Sequence, residues 1–324
     1  MMKKNANLNM YIFVSVVFLL FLNFNEILLA ADPGDSFLSS ITGKDEVFGP
    51  VASGSWYPGS ESQLKEMVTS YLSNADIGRQ ASNIKAVISP HAGLSISGRT
   101  AAYSFKPLIG QDINRVIVLA PSHYALFRGL SIYKADYYKT PLGLIKIDTG
   151  VCENLLKEKL INTVDSAHKK EHSLENMLPF LQLTVKDFKL VPILVGQLKN
   201  RDYKILSNIL KNYVDESTVI VVSSDFTHYG SSYGYMPFSY DENTRENIKN
   251  LDEGAIEQIT NLDFTGFQQY LDKTEVTICG RMPIGLLLNI LSKDVEGKLV
   301  KYDTSGNLMK DFRNSVSYAS ILFF

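Results

Sequence analysis

The stretch TVIVVSSDFTHYG, Thr218–Gly230, decides the fold because its character changes abruptly half-way along. Its first half is a run of β-branched residues without polar alternation, which predicts a strand buried on both faces of a sheet. Its second half places a carboxylate, Asp225, and an imidazole, His228, directly after that strand. In an open α/β sheet, ligands bind in the crevice beyond the carboxyl ends of the parallel strands. These two side chains are therefore candidates for a functional site.

The same pattern recurs along the chain. Buried-strand runs are predicted at IKAVIS (84–89), RVIVLA (115–120) and LVPILV (190–195). Helical periodicity is predicted over 61–73, 98–108, 173–185, 201–213, 242–260 and 282–292. The segment 130–148 instead predicts a two-stranded excursion with a bend near Pro141. Together these elements predict an α/β fold: a single domain with a mixed β-sheet flanked by helices.

Histidines stand at the predicted strand ends. His91 follows IKAVIS, His123 follows RVIVLA, and His228 follows the opening run; a fourth, His172, opens a predicted helix. A single strand-end histidine is more often structural than a ligand, but several converging at one sheet edge suit a divalent metal. The fifth, His168, lies among charged residues and is predicted to be an ordinary exposed side chain.

Two cysteines complete the set of reactive side chains. Cys279 ends a short β-like run and is followed by Gly280, which permits a sharp turn. The simple interpretation is a buried cysteine acting as a small hydrophobic residue. A disulfide between Cys279 and Cys152 is possible in an exported chain, but nothing in their spacing indicates one.

The N-terminus predicts export. Lys3 and Lys4 precede the apolar run YIFVSVVFLLFL (11–22), and the small residues of ILLAAD follow. This arrangement is typical of a cleaved signal peptide, and the run is shorter than the roughly 20 residues that span a bilayer. We therefore expect residues 1–31 to be an export signal peptide, residues 32–49 a linker, and residues 50–324 the α/β domain. An uncleaved N-terminal membrane anchor is the alternative.

The composition excludes some functions. Of 324 residues, 45% are hydrophobic and 20% charged, and the net charge is −2. This is an ordinary globular composition without the basic footprint of a nucleic-acid-binding protein. We expect a small-molecule or peptide ligand instead.

Eight motifs carry a resemblance to a known family. In chain order they are GSWYPGS, SPHAGLSISG, APSHYALFRG, KTPLG, EHSLENMLPFLQ, VPILVG, SSDFTHYG and TICGRMPIG. In this order they resemble the Memo family, called AmmeMemoRadiSam system protein B in bacteria and archaea, from about Val51 to the C-terminus. The family's fold is similar to that of the class III extradiol ring-cleaving dioxygenases. The family name also implies a radical-SAM or AMMECR-type partner, by association only.

The resemblance implies a metal site. The dioxygenases hold Fe²⁺ with two histidines and one glutamate. By matching motif, the two histidines are His91 and His123, and the third ligand position falls on Cys279. A thiolate in place of the carboxylate makes the site softer, which favours iron or copper, with zinc as the weaker candidate. Ring cleavage is therefore not the expected activity.

The resemblance also implies the surrounding groups. Asp225 and His228 fall where the dioxygenases place a histidine for acid–base work, and His172 and Glu175 resemble pocket groups. Asp225 either fixes the tautomer of His228 or only caps the following turn. The Trp56–Tyr57 loop either walls the pocket or packs the N-terminal segment. The aromatic stretch 229–240 is either a lid or ordinary loop packing.

Three functions follow from these residues. The first is a metal-dependent redox enzyme acting on a small molecule. The second is a non-catalytic metal-, peptide- or small-ligand-binding protein that retains the pocket. The third, zinc-dependent hydrolysis, needs only an open ligand position on the metal, and no hydrolase motif supports it.

Overall fold

The computed structural model describes residues 45–78 and 83–324. The predicted export signal, and the predicted linker up to residue 44, lie outside these described residues. Among the residues that are described, no helix combines the length and the apolar character needed to cross a membrane.

A mixed sheet forms the centre of the domain, with nine strands among the described residues. The strands are β2 (Ala86–Ser89), β3 (Arg115–Pro121), β4 (Leu130–Ser131), β7 (Ile161–Asn162), β8 (Lys189–Val195), β9 (Thr218–Ser223), β10 (His228–Gly230), β11 (Gly297–Thr304) and β12 (Asn314–Phe323). Their spatial order is β10-β12-β2-β9-β3-β8-β4-β7, with β11 paired to β12. The four central strands β2, β9, β3 and β8 are parallel, so their carboxyl ends meet at one edge of the sheet.

Both faces of these central strands are covered. Every residue of β2 and β9 is buried, which is why their sequences show no polar alternation. The helices are α1 (Glu61–Asn74), α2 (Leu94–Phe105), α3 (Thr149–Leu155), α4 (Asp165–His168), α5 (Leu178–Thr184), α6 (Asn200–Lys211), α7 (Thr244–Thr260), α8 (Phe264–Thr274), α9 (Arg281–Ile290) and α10 (Ser305–Met309). Helix α2 packs against β2 and β12, while α9 packs against β3 and β9.

A second, three-stranded sheet lies outside the main one. Strand β1 (Val47–Phe48) pairs in parallel with β5 (Tyr137–Thr140), which forms a hairpin with β6 (Gly143–Lys146). Within the predicted excursion over 130–148, only this hairpin stands apart, because Leu130–Ser131 joins the main sheet beside β8. Among the described residues, the first strand is thus Val47–Phe48, inside the segment 32–49.

The predicted fold class is confirmed: a mixed sheet flanked by helices. All four predicted buried strands are present within two residues of their predicted bounds. The unpredicted elements include strands β7, β11 and β12 and helices α3, α8 and α10. The short β-like run predicted before Cys279 is not a strand, because residues 275–280 form an irregular segment and a turn. The segment predicted as a helix over 173–185 instead begins as a 3₁₀ turn (Glu175–Met177) and continues as α5.

Candidate functional site

The carboxyl ends of the parallel strands bring the predicted site residues to one edge. In the sheet register Ser89 of β2 is opposite Ser223 of β9. His91 follows β2 by two residues, Asp225 follows β9 by two residues, and His123 follows β3 by two residues. The convergence is therefore a consequence of the parallel pairing, as the sequence predicted.

Three histidines form a cluster at this edge. One ring nitrogen from each of His91, His123 and His172 lies within 4.8 Å of the others, an arrangement that could hold a metal ion. The rings of His91 and His123 are edge-on, with centroids 5.2 Å apart. His172 reaches the cluster from the segment before α5, and its buried Nδ1 has no hydrogen-bond partner among the described residues.

Cys279 reaches the same edge from the start of α9. Its Sγ lies 3.3 Å from Nε2 of His91 and accepts a hydrogen bond from the main-chain N–H of Asp225 at 3.1 Å. Gly280 makes this approach possible, because a Cβ there would lie 2.3 Å from Cβ of Ser224. Burial, followed by the charge of Asp225, raises the pKa of the Cys279 thiol well above its usual value. The free protein therefore holds a thiol at this position.

The Asp225 carboxylate holds the main chain beside His91. Its Oδ1 accepts hydrogen bonds from the backbone N–H groups of His91 at 2.8 Å and Ala92 at 3.4 Å. Burial raises the pKa of Asp225, and these bonds together with the histidines oppose the rise. Asp225 thus fixes the loop after β2.

His228 is oriented by main-chain carbonyl groups. Its Nδ1 lies 2.8 Å from the carbonyl oxygen of Phe226 and 3.0 Å from that of Thr277. Because carbonyl oxygens only accept, Nδ1 carries the hydrogen and Nε2 is left free. The expectation that Asp225 fixes the tautomer of His228 is wrong, since the backbone supplies both acceptors.

Glu171 is the site residue that the sequence interpretation missed. This carboxylate has a side-chain exposure of only 1%, and its Oε1 lies 2.9 Å from Nδ1 of His123. Burial alone would lower the pKa of His123, but the hydrogen bond and charge of Glu171 raise it overall. Burial alone would raise the pKa of Glu171, but the hydrogen bonds and charge of His123, with the charge of His172, lower it overall.

The other two clustered histidines favour the neutral form. Burial, followed by repulsion from the neighbouring histidines, holds the pKa of His91 well below its usual range. Burial also lowers the pKa of His172 to about 4. Neutral imidazole is the form that binds metals, so both rings are in a binding-competent state at neutral pH.

An aromatic loop closes one side of the cluster. The indole of Trp56 stacks on the ring of His172, with centroids 3.6 Å apart and planes 7° from parallel. The loop is held by the buried carboxylate of Glu175, which accepts hydrogen bonds from the backbone of Val51 and Ala52 and from the hydroxyl of Tyr57. Trp56 therefore lies at the site, while Tyr57 packs and anchors the N-terminal segment.

Comparison with known proteins gives the family. The family model described as Memo-like protein matches residues 49–322. The chain is 35% identical to the "Protein memo-1 homolog" of Caenorhabditis elegans, over 84% of this chain and 81% of that protein. It is 33% identical to "Protein MEMO1" of Xenopus tropicalis, over 82% of this chain and 94% of that protein. It is also 33% identical to a "MEMO1 family protein" of Thermococcus onnurineus, over 85% of this chain and 98% of that protein.

The chain belongs to the Memo family. Among solved structures, the match to an uncharacterized protein from Escherichia coli K12 covers 74% of this Memo-family chain and 99% of the Escherichia coli chain. The sequence identity is 13% and the TM-score is 0.41.

Three histidines of this Memo-family chain are grouped closely enough to hold a metal ion, and Cys279 is not a member of that group among the described residues. Metal–sulfur and metal–nitrogen bonds of about 2.3 and 2.0 Å, at angles of about 90–110°, separate the two donors by roughly 3.0–3.6 Å. The 3.3 Å between Cys279 Sγ and His91 Nε2 falls in this range. The distance is that of a hydrogen bond between the Cys279 thiol and Nε2 of His91, and it is also short enough for both atoms to bind one metal ion.

A cavity of about 390 Å³ opens beside these donors. It is lined by His123, His228, Tyr233, Cys279 and Arg281, together with neighbouring loop residues. Of the aromatic stretch 229–240, Tyr233 reaches this cavity, whereas Tyr229 is fully buried against Phe238. The volume is sufficient for a small molecule.

His168 was placed wrongly by the sequence interpretation. It is 5% exposed, and its Nε2 hydrogen-bonds with the hydroxyl of Ser131 at 2.9 Å. Burial lowers its pKa to about 4. The short helix α4 turns it beneath β4, away from the charged neighbours that suggested exposure. The two cysteines of the chain are both free.

Proposed function

We propose that this Memo-family protein binds one iron or copper ion through His91, His123 and Cys279 and carries out redox chemistry on a small molecule in the adjoining cavity. The observation that carries the proposal is the group of three histidine nitrogens at the sheet edge that could hold a metal ion, with the Cys279 thiol 3.3 Å from Nε2 of His91. A bound iron or copper ion would supply electron transfer and activation of a bound substrate there.

The ligand set suits these metals on chemical grounds. Two neutral imidazoles and a thiolate form a softer set than two histidines and a carboxylate. Metal binding must displace the thiol proton of Cys279, because burial favours the protonated form. The main-chain N–H of Asp225, which points at the sulfur, favours the thiolate that would result.

The chain's own groups supply the proton chemistry of this proposal. His228 lines the cavity, and its Nε2 is free to exchange a proton with a substrate. Asp225 acts through the main chain, because it holds the loop that carries His91. His172, whose ring stacks on Trp56, places a third imidazole beside the two proposed histidine ligands.

Metal analysis after anaerobic, chelator-free purification tests the proposal. The variants are His91→Gln, His123→Gln and Cys279→Ser, with His168→Gln as the matched control, since His168 is a buried histidine outside the cluster. We expect near-stoichiometric iron or copper in the wild type and in His168→Gln, and loss in the other three. Absence of metal from wild type after anaerobic reconstitution would refute the site.

Turnover is tested separately. Oxygen consumption with a panel of catechols and thiols should be detectable in the metal-loaded wild type and should fall about 10²–10⁴-fold in His228→Asn, the usual contribution of one acid–base group. Metal binding with ligand-induced thermal stabilisation but no turnover would assign the alternative function, a metal- or ligand-binding protein without catalysis.

A further inference from the structure

A buried segment between α4 and α5 contacts both proposed histidine ligands. Every residue of this segment, Glu171–Asn176, is at most 6% exposed. Its residues are far from His91 and His123 in sequence. Groups from it contact the His123 ring directly, the His91 ring through Ser223, and the main-chain carbonyl of His91 directly. We call it the orienting segment.

The contact to His123 comes from Glu171. The main-chain N–H of His123 donates to Oε2 at 2.6 Å, and Nδ1 of its ring lies 2.9 Å from Oε1. The N–H of Ser173 also donates to Oε1, at 3.1 Å. Because the carboxylate oxygens accept these bonds, Nδ1 of the neutral His123 ring carries the hydrogen and Nε2 keeps its lone pair. Glu171 therefore holds His123 both at its main-chain N–H and at Nδ1 of its ring.

The contact to His91 runs through Ser223. Oγ of Ser223 lies 2.7 Å from the carbonyl oxygen of Ser173, which can only accept, so the single hydroxyl hydrogen is used there. Toward Nδ1 of His91, 2.6 Å away, the same oxygen must therefore accept. Nδ1 of His91 thus carries the hydrogen, and its Nε2 presents a lone pair to Cys279 Sγ.

The segment also holds the main chain beneath the site. Nδ2 of Asn176 donates to the carbonyl oxygen of His91 at 2.7 Å, and Oγ of Ser173 donates to that of Pro121, two residues before His123, at 2.8 Å. Side chains and main chain of both strand-end loops are thus tied to the same few residues. A displacement of the orienting segment would move both histidines together.

We infer that Glu171 and Ser223 are positioning residues, which select the Nδ1–H tautomer of His123 and of His91 before any metal arrives. The inference rests on the proposed metal site for its purpose, but not for its geometry. Free neutral imidazole can carry its hydrogen on either nitrogen, so without these acceptors part of the population would present a protonated Nε2 that cannot coordinate. Groups in this position typically change metal affinity 10–100-fold.

The tautomers can be measured in the metal-free protein. With ¹⁵N-labelled histidine at about pH 9, above the ordinary histidine pKa, two-bond ¹H–¹⁵N correlation spectra identify the protonated nitrogen of each ring. We expect His91 and His123 of the wild type to be Nδ1-protonated. Ser223→Ala should shift His91 toward Nε2–H and leave His123 unchanged. Nε2 protonation of both rings in the wild type would overturn the inference, and this result needs no variant to fold.

Metal affinity supplies the second readout. Trp56 is the only tryptophan of the chain and stacks on His172, so its fluorescence can follow an anaerobic Fe²⁺ titration. We expect the Kd to rise 10–100-fold in Ser223→Ala and in Glu171→Gln. Asp148→Asn is the matched control, because Asp148 is a buried carboxylate paired with Arg115 at the opposite, amino end of β3. Its Kd should match that of the wild type.

The outcomes separate the two proposals. If the wild type binds no metal, the proposed function fails, while the tautomers in the metal-free protein still decide the inference. If the wild type binds Fe²⁺ and both positioning variants bind it equally well, the proposed function survives and the inference is refuted. A loss of affinity as large in Asp148→Asn would also refute it, because general destabilisation would then account for the effect.

Discussion

Replacing Gly280 by alanine tests how the thiol is brought to the histidines. The backbone φ of Gly280 is −84°, a value that alanine adopts readily, so the substitution introduces no backbone strain. The added Cβ, however, would lie 2.3 Å from Cβ and 2.4 Å from Oγ of Ser224. Two carbon atoms need about 3.5 Å, so the start of α9 must move away from the end of β9 by about 1 Å.

The cost follows from two contributions. Overpacking of this kind costs about 1–3 kcal/mol. The displacement also breaks the 3.0 Å hydrogen bond from the Gly280 N–H to Ser224 Oγ, which contributes about 1 kcal/mol. We therefore expect Gly280→Ala to lower the free energy of unfolding by about 2–4 kcal/mol. Since Cys279 is the preceding residue, its sulfur should move out of coordination spacing, and metal affinity should fall at least tenfold.

Urea unfolding of five proteins measures the effect: the wild type, Gly280→Ala, Ser224→Gly, their double variant and a control. Gly150→Ala is the control, because the nearest atom to its added Cβ is 3.9 Å away, an ordinary contact. The double variant Gly280→Ala/Ser224→Gly removes the two closest atoms and should be less destabilised than the sum of its single variants. A Gly280→Ala protein within about 0.5 kcal/mol of the wild type, or strict additivity in the double variant, would refute the steric argument.

Three further predictions concern other parts of the domain. Asp202→Asn should lower the free energy of unfolding by roughly 2 kcal/mol, because a carboxylate with 0% side-chain exposure loses its two hydrogen bonds with Arg128. Chemical denaturation measures this change, and an unchanged midpoint would contradict it. The pKa of His168 is about 4 in the folded protein and 6.5 ordinarily, so between these pH values the unfolded chain binds one more proton than the folded protein. The free energy of unfolding should therefore fall by about 3 kcal/mol from this residue as the pH drops from 6.5 to 4. In His168→Gln this part of the stability–pH curve should be flatter. Cys279→Asp should shift the metal preference from copper toward iron, since a carboxylate is a harder ligand than a thiolate. Competitive loading with both metals measures the bound iron-to-copper ratio, and a ratio equal to that of the wild type would show that the sulfur is not a ligand.

The sequence predicted the convergence of the site because strand polarity alone produces it. His91, His123 and Asp225 each follow a β-branched run, and parallel pairing places such residues at one edge. No side-chain geometry was needed for this step. The bounds of the four central strands were predictable for the same reason, since full burial requires an uninterrupted apolar run.

The orienting groups could not be predicted in the same way. Glu171 lies 48 positions from His123, and the motif EHSLE drew attention to His172 and Glu175 instead. The role of Ser223 depends on a hydrogen bond that its hydroxyl makes elsewhere. Such assignments require distances, although a carboxylate inside the buried run EHSLENMLPF was an available signal.

Other differences have local physical causes. His168 was predicted to be exposed because charged residues surround it in sequence, but a four-residue helix turns it inward beneath Ser131. Strand β12 is an antiparallel member of the main sheet, and its alternating small and large residues did not resemble the apolar runs of the central strands.

The most direct test of the central claim is anomalous X-ray diffraction from anaerobically grown crystals of the iron- or copper-loaded protein, recorded at the absorption edge of the metal. The account predicts one anomalous peak per chain within bonding distance, about 2.0–2.3 Å, of one nitrogen each from His91 and His123 and of Cys279 Sγ. A peak bonded elsewhere, or no peak in protein that contains stoichiometric metal by analysis, would contradict it.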